Sequence, residues 1–387
     1  MRRIVFGASV AALVGGAATL LAAVYFARQI VVPRTKRIED LEIRRVFVDA
    51  KWGLLIELPS STRTLSPGLY SLWYAGGSGH ACIGSVVAID DRASTVTRMV
   101  ERVDSGQLST ARAGIWSGYV YPSPGPLGLP YEDVEIPVEN GSAPAWKFAP
   151  VDASIAPGVW AIHIHGMGGT KAGALRGVPV ADRLGLTSLV VSYRNDGQAP
   201  ASTDGRHNLG QSEWRDVEAA LAYAVDQGAK RIFLFGWSLG GSMALQAAAR
   251  SEYRRQIVGL ILDAPVFDWT STLMANARAA KLPKPAAALG LRLLESKPLR
   301  KITGLHEPLE LSALDWLPRA QELQTRMLVL HSENDRSTPF DVSRQIARIR
   351  PDLMTLIPFQ NVEHTQEWNI DIERWDQAVF SWVAPRE

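Results

Sequence analysis

RIFLFGWSLGGSMALQAAAR, residues 231–250, is the stretch on which the fold turns. Arg231–Phe235 reads as a short apolar strand, and Met243–Arg250 has the composition of a helix. Between them lies GWSLGG, Gly236 to Gly241, a G-x-S-x-G in the setting its mechanics require. A strand that turns abruptly into a helix forces the serine into a strained conformation. Glycines on either side, Gly236 and Gly240, remove side chains that would collide there. Ser238 then stands at the C-terminal edge of a sheet, over a helix N-terminus that supplies unpaired amides and partial positive charge.

Outward from this turn, apolar runs alternate with helical patterns. Runs at Trp160–Ile164, Ser188–Ser192, Val258–Leu262, Met327–Leu330 and Met354–Ile357 suit strands buried on both faces. Helical patterns at Trp214–Asp226, Val342–Ile349 and Ile372–Val383 separate them, which predicts a mostly parallel sheet with helices on both faces. Val134–Val138 and Ala145–Phe148 read as an entry hairpin. Phe267 to Leu317 breaks the rhythm, being long, Pro-interrupted and rich in Ala and Leu. It reads as a helical cap insertion, at about 267–317, with an apolar acyl pocket or simple packing on the sheet as its two uses.

Serine is a weak nucleophile until a base takes its proton, and histidine can both accept and return one near neutral pH. His364 follows the last strand and precedes the final helix, so it shares the edge that carries Ser238. His80 and His306 lie outside the alternation, and His163, inside a strand, reads as a core residue. A carboxylate must hold the imidazole tautomer. Asp335, in LVLHSENDRSTP, follows an apolar strand and gives the order Ser, Asp, His; Asp263, in LILDAP, is the alternative acid. An oxyanion needs two preorganised donors. The backbone N–H of Leu239 is one. The other is expected from HGMGG, His165 to Gly169, where Met167 donates and His165 and Gly166 support the turn.

HGMGG, GWSLGG, the Asp335 loop and His364 together resemble the α/β-hydrolase superfamily over roughly residues 130–385, with a look similar to its serine-aminopeptidase and prolyl-oligopeptidase-like branches. That resemblance implies an eight-stranded, mostly parallel sheet and a chemistry that requires neither metal nor organic cofactor. The loop is HGMGG where many lipases have HGGG, so lipase specificity does not carry over. The implied activity is hydrolysis of a carboxylic ester, thioester or amide of a small-molecule or lipid-like acyl substrate through an acyl-enzyme on Ser238. An acyltransferase using the same triad is the alternative, and a non-catalytic tethered binding protein a third reading.

The rest of the chain bounds these readings. With 47% hydrophobic and 21% charged residues and a net charge of +2, the protein has an ordinary globular composition. Charges of both signs are interspersed, so no basic stripe points to nucleic acid. One cysteine, Cys82, excludes an intrachain disulfide framework and a multi-cysteine metal site, and reads as a small packed residue. Arg194, Asn195, Arg206 and His207 surround a loop near the expected substrate entrance, either as a polar subsite or as a solvated loop.

Residues 31–125 read as a linker followed by short β segments between 43 and 122. The run Pro122–Pro130 reads as a linker into the hydrolase region of 126–387. Ile4 to Ala27 carries no charge, and a helix over it would span about 36 Å at 1.5 Å per residue. This predicts a single-pass N-terminal membrane anchor at residues 1–30. Arg2 and Arg3 on one flank balance Arg28, Arg34, Lys36 and Arg37 on the other, so the side of the membrane stays open.

Overall fold

The structure, a computed structural model, describes residues 2–33 and 38–384, with side chains from Gly16 onward. The basic flank at Arg34, Lys36 and Arg37 and the side chains of Arg2 and Arg3 lie outside the described residues.

Two sheets organise the chain. The first contains β1 (Leu41–Glu42), β2 (Arg45–Asp49), β3 (Gly53–Pro59), β4 (Tyr70–Tyr74), β5 (Gly79–Asp90), β6 (Thr95–Ser105) and β7 (Ala113–Ser117). Their order is β1-β7-β4-β5-β6-β3-β2, with every neighbouring pair antiparallel. This region is a seven-stranded module with its own core around Ile56, Leu58, Leu72 and Ile83. Arg98 is buried inside it and donates to the carbonyls of Gly84, Thr64, Ser66 and Gly68 at 2.7–2.9 Å. Four neutral acceptors replace a counter-ion there. Thr64, Ser66 and Gly68 belong to the segment that leads from β3 to β4, so Arg98 ties that segment to Gly84 of β5.

The second sheet has eight strands: β8 (Glu132–Val138), β9 (Gly141–Phe148), β10 (Val159–Ile164), β11 (Thr187–Val191), β12 (Arg231–Trp237), β13 (Ile257–Asp263), β14 (Met327–Ser332) and β15 (Met354–Phe359). The order is β15-β14-β13-β12-β10-β11-β9-β8. The hairpin β8–β9 joins antiparallel to β11, and the remaining pairs are parallel. Alternate residues of the central strands face opposite cores, as the period of two demands. Ile162, Leu234, Leu260 and Val329 enter one core; Ala161, Phe233, Ile261 and Leu328 enter the other. This is the α/β-hydrolase architecture, and its eight strands match the expectation.

The insertion folds into helices Trp269–Ala279, Lys284–Glu295, Arg300–Thr303 and Leu311–Leu314. Its main partner is the N-terminal helix Arg2–Val31. The contact is close: a Cβ on Gly290 would lie 2.9 Å from the Phe26 ring and 3.1 Å from the Ala23 carbonyl.

That packing corrects the expected membrane anchor. Among the described residues no helix is long and apolar enough to cross a membrane. Ala23, Ala27 and Val31 are fully buried against the protein, in one core with Leu293 and Leu294. Arg28 donates to Ile302 O at 3.0 Å, and Val31 O accepts from His207 N at 2.8 Å. The apolar stretch counted as lipid-facing in sequence spends its last turns on protein.

Candidate active site

Parallel strands end at the same edge, so the loops after β10, β12, β13, β14 and β15 converge. Register brings the first two together: Ile164 lies opposite Gly236 in the β10–β12 pair, which sets His165–Gly169 beside the turn after β12. At that turn Ser238 has φ 52° and ψ −112°, the strained geometry expected of it. Glycine is obligatory around it for steric reasons. A Cβ on Gly240 would lie 2.1 Å from Ile164 O, and one on Gly236 would lie 2.7 Å from the Gly240 carbonyl group. Leu239 opens the helix Leu239–Arg250, so its N–H is one of the orphan donors of a first turn.

Ser238, His364 and Asp335 meet in a hydrogen-bonded row. His364 Nε2 lies 2.8 Å from Ser238 Oγ, and its Nδ1 lies 2.6 Å from Asp335 Oδ2. A carboxylate only accepts, so Nδ1 carries the proton and Nε2 is left to accept from the serine hydroxyl. Asp335 is enclosed by donors. Its Oδ1 accepts from Ser337 N at 2.7 Å and Thr338 N at 3.0 Å, and its Oδ2 accepts from Thr338 Oγ1 at 3.1 Å and His331 Nε2 at 3.2 Å. Burial raises its pKa, but the charge of His364 and the hydrogen bonds from His331 and His364 outweigh it. They hold the carboxyl well below the ordinary carboxylate range.

Asp263, the alternative acid, faces elsewhere. Its Oδ2 accepts from Trp375 Nε1 at 2.8 Å, and the buried carboxyl of Glu367 lies beside it. Both carboxyls are pushed up, chiefly by burial. Among the described residues Asp263 Oδ1 and Glu367 Oε2 have no donor, so two carboxyls buried side by side can satisfy one another only if they share a proton.

The HGMGG loop is fastened from behind. His165 stacks on Tyr193 with ring centroids 4.2 Å apart, and Tyr193 donates to the carbonyls of His165 and Gly166. Gly166 approaches Ser238 so closely that an added Cβ would sit 3.3 Å from the serine Cβ. Met167, Gly166, Ser238 and His364 line one cleft of about 120 Å³, together with Tyr119 and Arg176. No side chain of 267–317 lines it, so the insertion does not cap the cleft; its helices pack toward the N-terminal helix and, through Trp269 Nε1 to Ser242 Oγ, onto helix Leu239–Arg250.

The remaining sequence candidates lie away from the cleft that holds Ser238. Arg194 forms a two-point ion pair with Asp216, at 2.9 and 2.7 Å, and neither Asn195 nor Arg206 lines the cleft. His207 borders the neighbouring groove, and burial pushes its pKa down to about 4. His163 is a core residue with its Nε2 3.0 Å from Ser188 Oγ. Cys82 is buried, and burial pushes its thiol up to about 11.

Two regions of the chain match known families. Residues 43–117 match a domain of unknown function (DUF8805). Residues 140–365, more than half the chain, match the alpha/beta hydrolase family. The chain belongs to that family. Among solved structures, the esterase Pf2001 of Pyrococcus furiosus is 17% identical, with 67% of this chain and 93% of that one covered at a TM-score of 0.51. Esterase RhEst1 from Rhodococcus sp. ECU1013 is 18% identical, covering 65% and 98% at 0.45. The carboxylesterase EstE1 from a metagenomic library is 20% identical, covering 66% and 90% at 0.45. At these identities the likeness is one of fold. No curated protein matches the sequence.

Several neighbours of the Ser238–His364–Asp335 row are not among the residues to which the sequence points. His331 stands four residues before Asp335 on β14 and could have been found from that spacing. Arg176, Glu367 and Tyr119 carried no local signal. Arg176 is 1% exposed, and its Nη1 donates to Thr365 O and Asn369 Oδ1, both at 2.7 Å, beside His364.

Proposed function

We propose that this alpha/beta hydrolase is a serine hydrolase that cleaves carboxylic esters through an acyl-enzyme on Ser238. The observation that supports it is the continuous row from Ser238 Oγ through His364 to Asp335 Oδ2. In this reading His364 Nε2 takes the Ser238 proton as Oγ attacks the ester carbonyl carbon. The carbonyl oxygen becomes an oxyanion facing the N–H groups of Leu239 and Met167, each worth about 2.7–4 kcal/mol of barrier lowering. His364 then donates its new proton to the departing alcohol, leaving the acyl group on Ser238. A water molecule gives a proton to His364 as its oxygen attacks the acyl carbon; the bond from that carbon to Oγ then breaks, His364 returns the proton to Ser238 Oγ, and the acid departs. Asp335 keeps Nδ1 protonated and stabilises the imidazolium in each half. An ester suits this site because an alkoxide leaves with little assistance.

A fluorophosphonate probe tests the proposal. The native protein should become labelled at Ser238 and release p-nitrophenol from p-nitrophenyl esters. Ser238→Ala should lose labelling and turnover, the latter by a factor on the order of 10⁴ or more, while its circular dichroism stays unchanged. Folded native protein that neither labels nor turns over any ester would refute the assignment.

A further inference from the structure

The seven-stranded module does more than accompany the hydrolase sheet. Tyr119, just beyond its last strand β7, reaches into the loop after β10 and lines the cleft beside Ser238. Two glycines of the hydrolase region receive its ring. A Cβ on Gly169 would lie 2.3 Å from Tyr119 Oη, and one on Gly173 would lie 2.6 Å from Tyr119 Cζ. The guanidinium of Arg176 stands over the ring at 5.8 Å.

The backbone that carries this ring is held at each residue. Gly118 O accepts from Asn369 Nδ2 at 3.0 Å, and Tyr119 N donates to Ser117 Oγ at 3.1 Å. Tyr119 O lies 3.4 Å from His80 Nε2, and Val120 O accepts from Arg102 Nη2 at 2.9 Å. His80 and Arg102 both bind Asp104, at 2.7 and 2.6 Å. His80, Arg102 and Asp104 all belong to the module, so the module builds a rigid mount for one side chain of the cleft.

Tyr119 also lines a second, larger space of about 950 Å³ between the module and the end of the N-terminal helix, bordered by Ile30, Val32, Ile115 and Trp116. Met167 and Thr365 line both spaces as well. Tyr119 is the largest side chain of this partition.

We infer that the seven-stranded module sets the substrate size of the Ser238 site, with Tyr119 as the specificity-determining residue that closes the small cleft off from the larger groove. The inference rests on the reading of Ser238 as the nucleophile. A cleft of about 120 Å³ has room for about four water-sized groups, which points to esters whose substituent on that side is short, near butyryl or butyl in length. Without the phenol ring, a longer chain would run on between Ile30 and Trp116.

The test uses two ester series on the full chain. One lengthens the acyl group of p-nitrophenyl esters from two to twelve carbons; the other lengthens the alcohol of acetate esters over the same range. In one series the native protein should lose at least tenfold in kcat/KM between four and eight carbons. Tyr119→Ala and Tyr119→Leu should raise the eight-to-four carbon ratio of that series at least tenfold, whereas Tyr119→Phe, which keeps the ring, should keep the native cut-off. Native protein without a cut-off in either series overturns the inference. So does a Tyr119→Ala or Tyr119→Leu protein that still labels with fluorophosphonate and keeps the native cut-off. Native protein that turns over no ester and takes up no fluorophosphonate instead refutes the Ser238 reading itself, a separate outcome.

Discussion

At the scale of single residues, Asp335 shows how the site holds its charge. Two imidazoles, His331 from strand β14 and His364 from the loop after β15, donate to the same oxygen, Oδ2. His331 in turn has its Nδ1 2.8 Å from Ser343 Oγ, so its ring is fixed with Nε2 toward the carboxylate. In the proposed reaction its role is that of a positioning residue that acts through Asp335. A hydrogen bond to a charged group is worth about 1.5–3 kcal/mol, so His331→Ala should lower kcat/KM roughly 10- to 150-fold. His331→Gln, whose amide can reach the same oxygen, should recover part of that loss. Steady-state kinetics on p-nitrophenyl acetate, with labelling as the check on folding, decide it. Equal losses in the two variants would mean that packing, not the donated hydrogen, matters at this position.

At the scale of elements, the crossing of β10, β12 and the helix Leu239–Arg250 is made by backbone against backbone. Gly240→Ala would drive a methyl into Ile164 O at 2.1 Å, and neither main chain can yield without moving His165 and Gly166. Overpacking of this kind costs about 1–3 kcal/mol or more. The expected outcome is a fall of several degrees in the thermal unfolding midpoint, with slower fluorophosphonate labelling. Gly125→Ala, where an added Cβ meets nothing within 4 Å, should change neither. The same crossing explains what could be read in advance. Gly236, Ser238 and Gly240 announce themselves because a strained turn leaves few residue types to choose from, and Asp335 and His364 follow from their places after parallel strands. Arg176 bonds a group 189 residues away, and Asn369 donates to Leu69 O across 300 residues. Contacts of that span have no period or spacing to betray them. The N-terminal helix misleads for a related reason: apolar composition registers burial without saying whether lipid or protein covers it.

At the scale of the whole molecule, acidic groups act in opposite senses on stability. Asp335, held below its ordinary value, contributes stability above about pH 4 that is lost as pH falls. Asp263 and Glu367 are raised, so their contribution is complete below about pH 4 and is lost as pH climbs through their folded values. Glu367→Gln keeps an acceptor for Ser332 N, now 2.8 Å from Glu367 Oε1, and supplies Asp263 with an N–H that never titrates. The midpoint of Glu367→Gln, followed by calorimetry from pH 5 to 9, should decline less than that of the native chain and exceed it at pH 9; parallel curves would count against a shared proton. The bond from Asn369 to Leu69 has one more consequence, for synthesis. At about 5–20 residues per second, the amide that Leu69 O awaits leaves the ribosome roughly 15–60 s after it. A nascent chain therefore carries the early sheet with this contact unmet, and the junction closes only once the last helices have emerged.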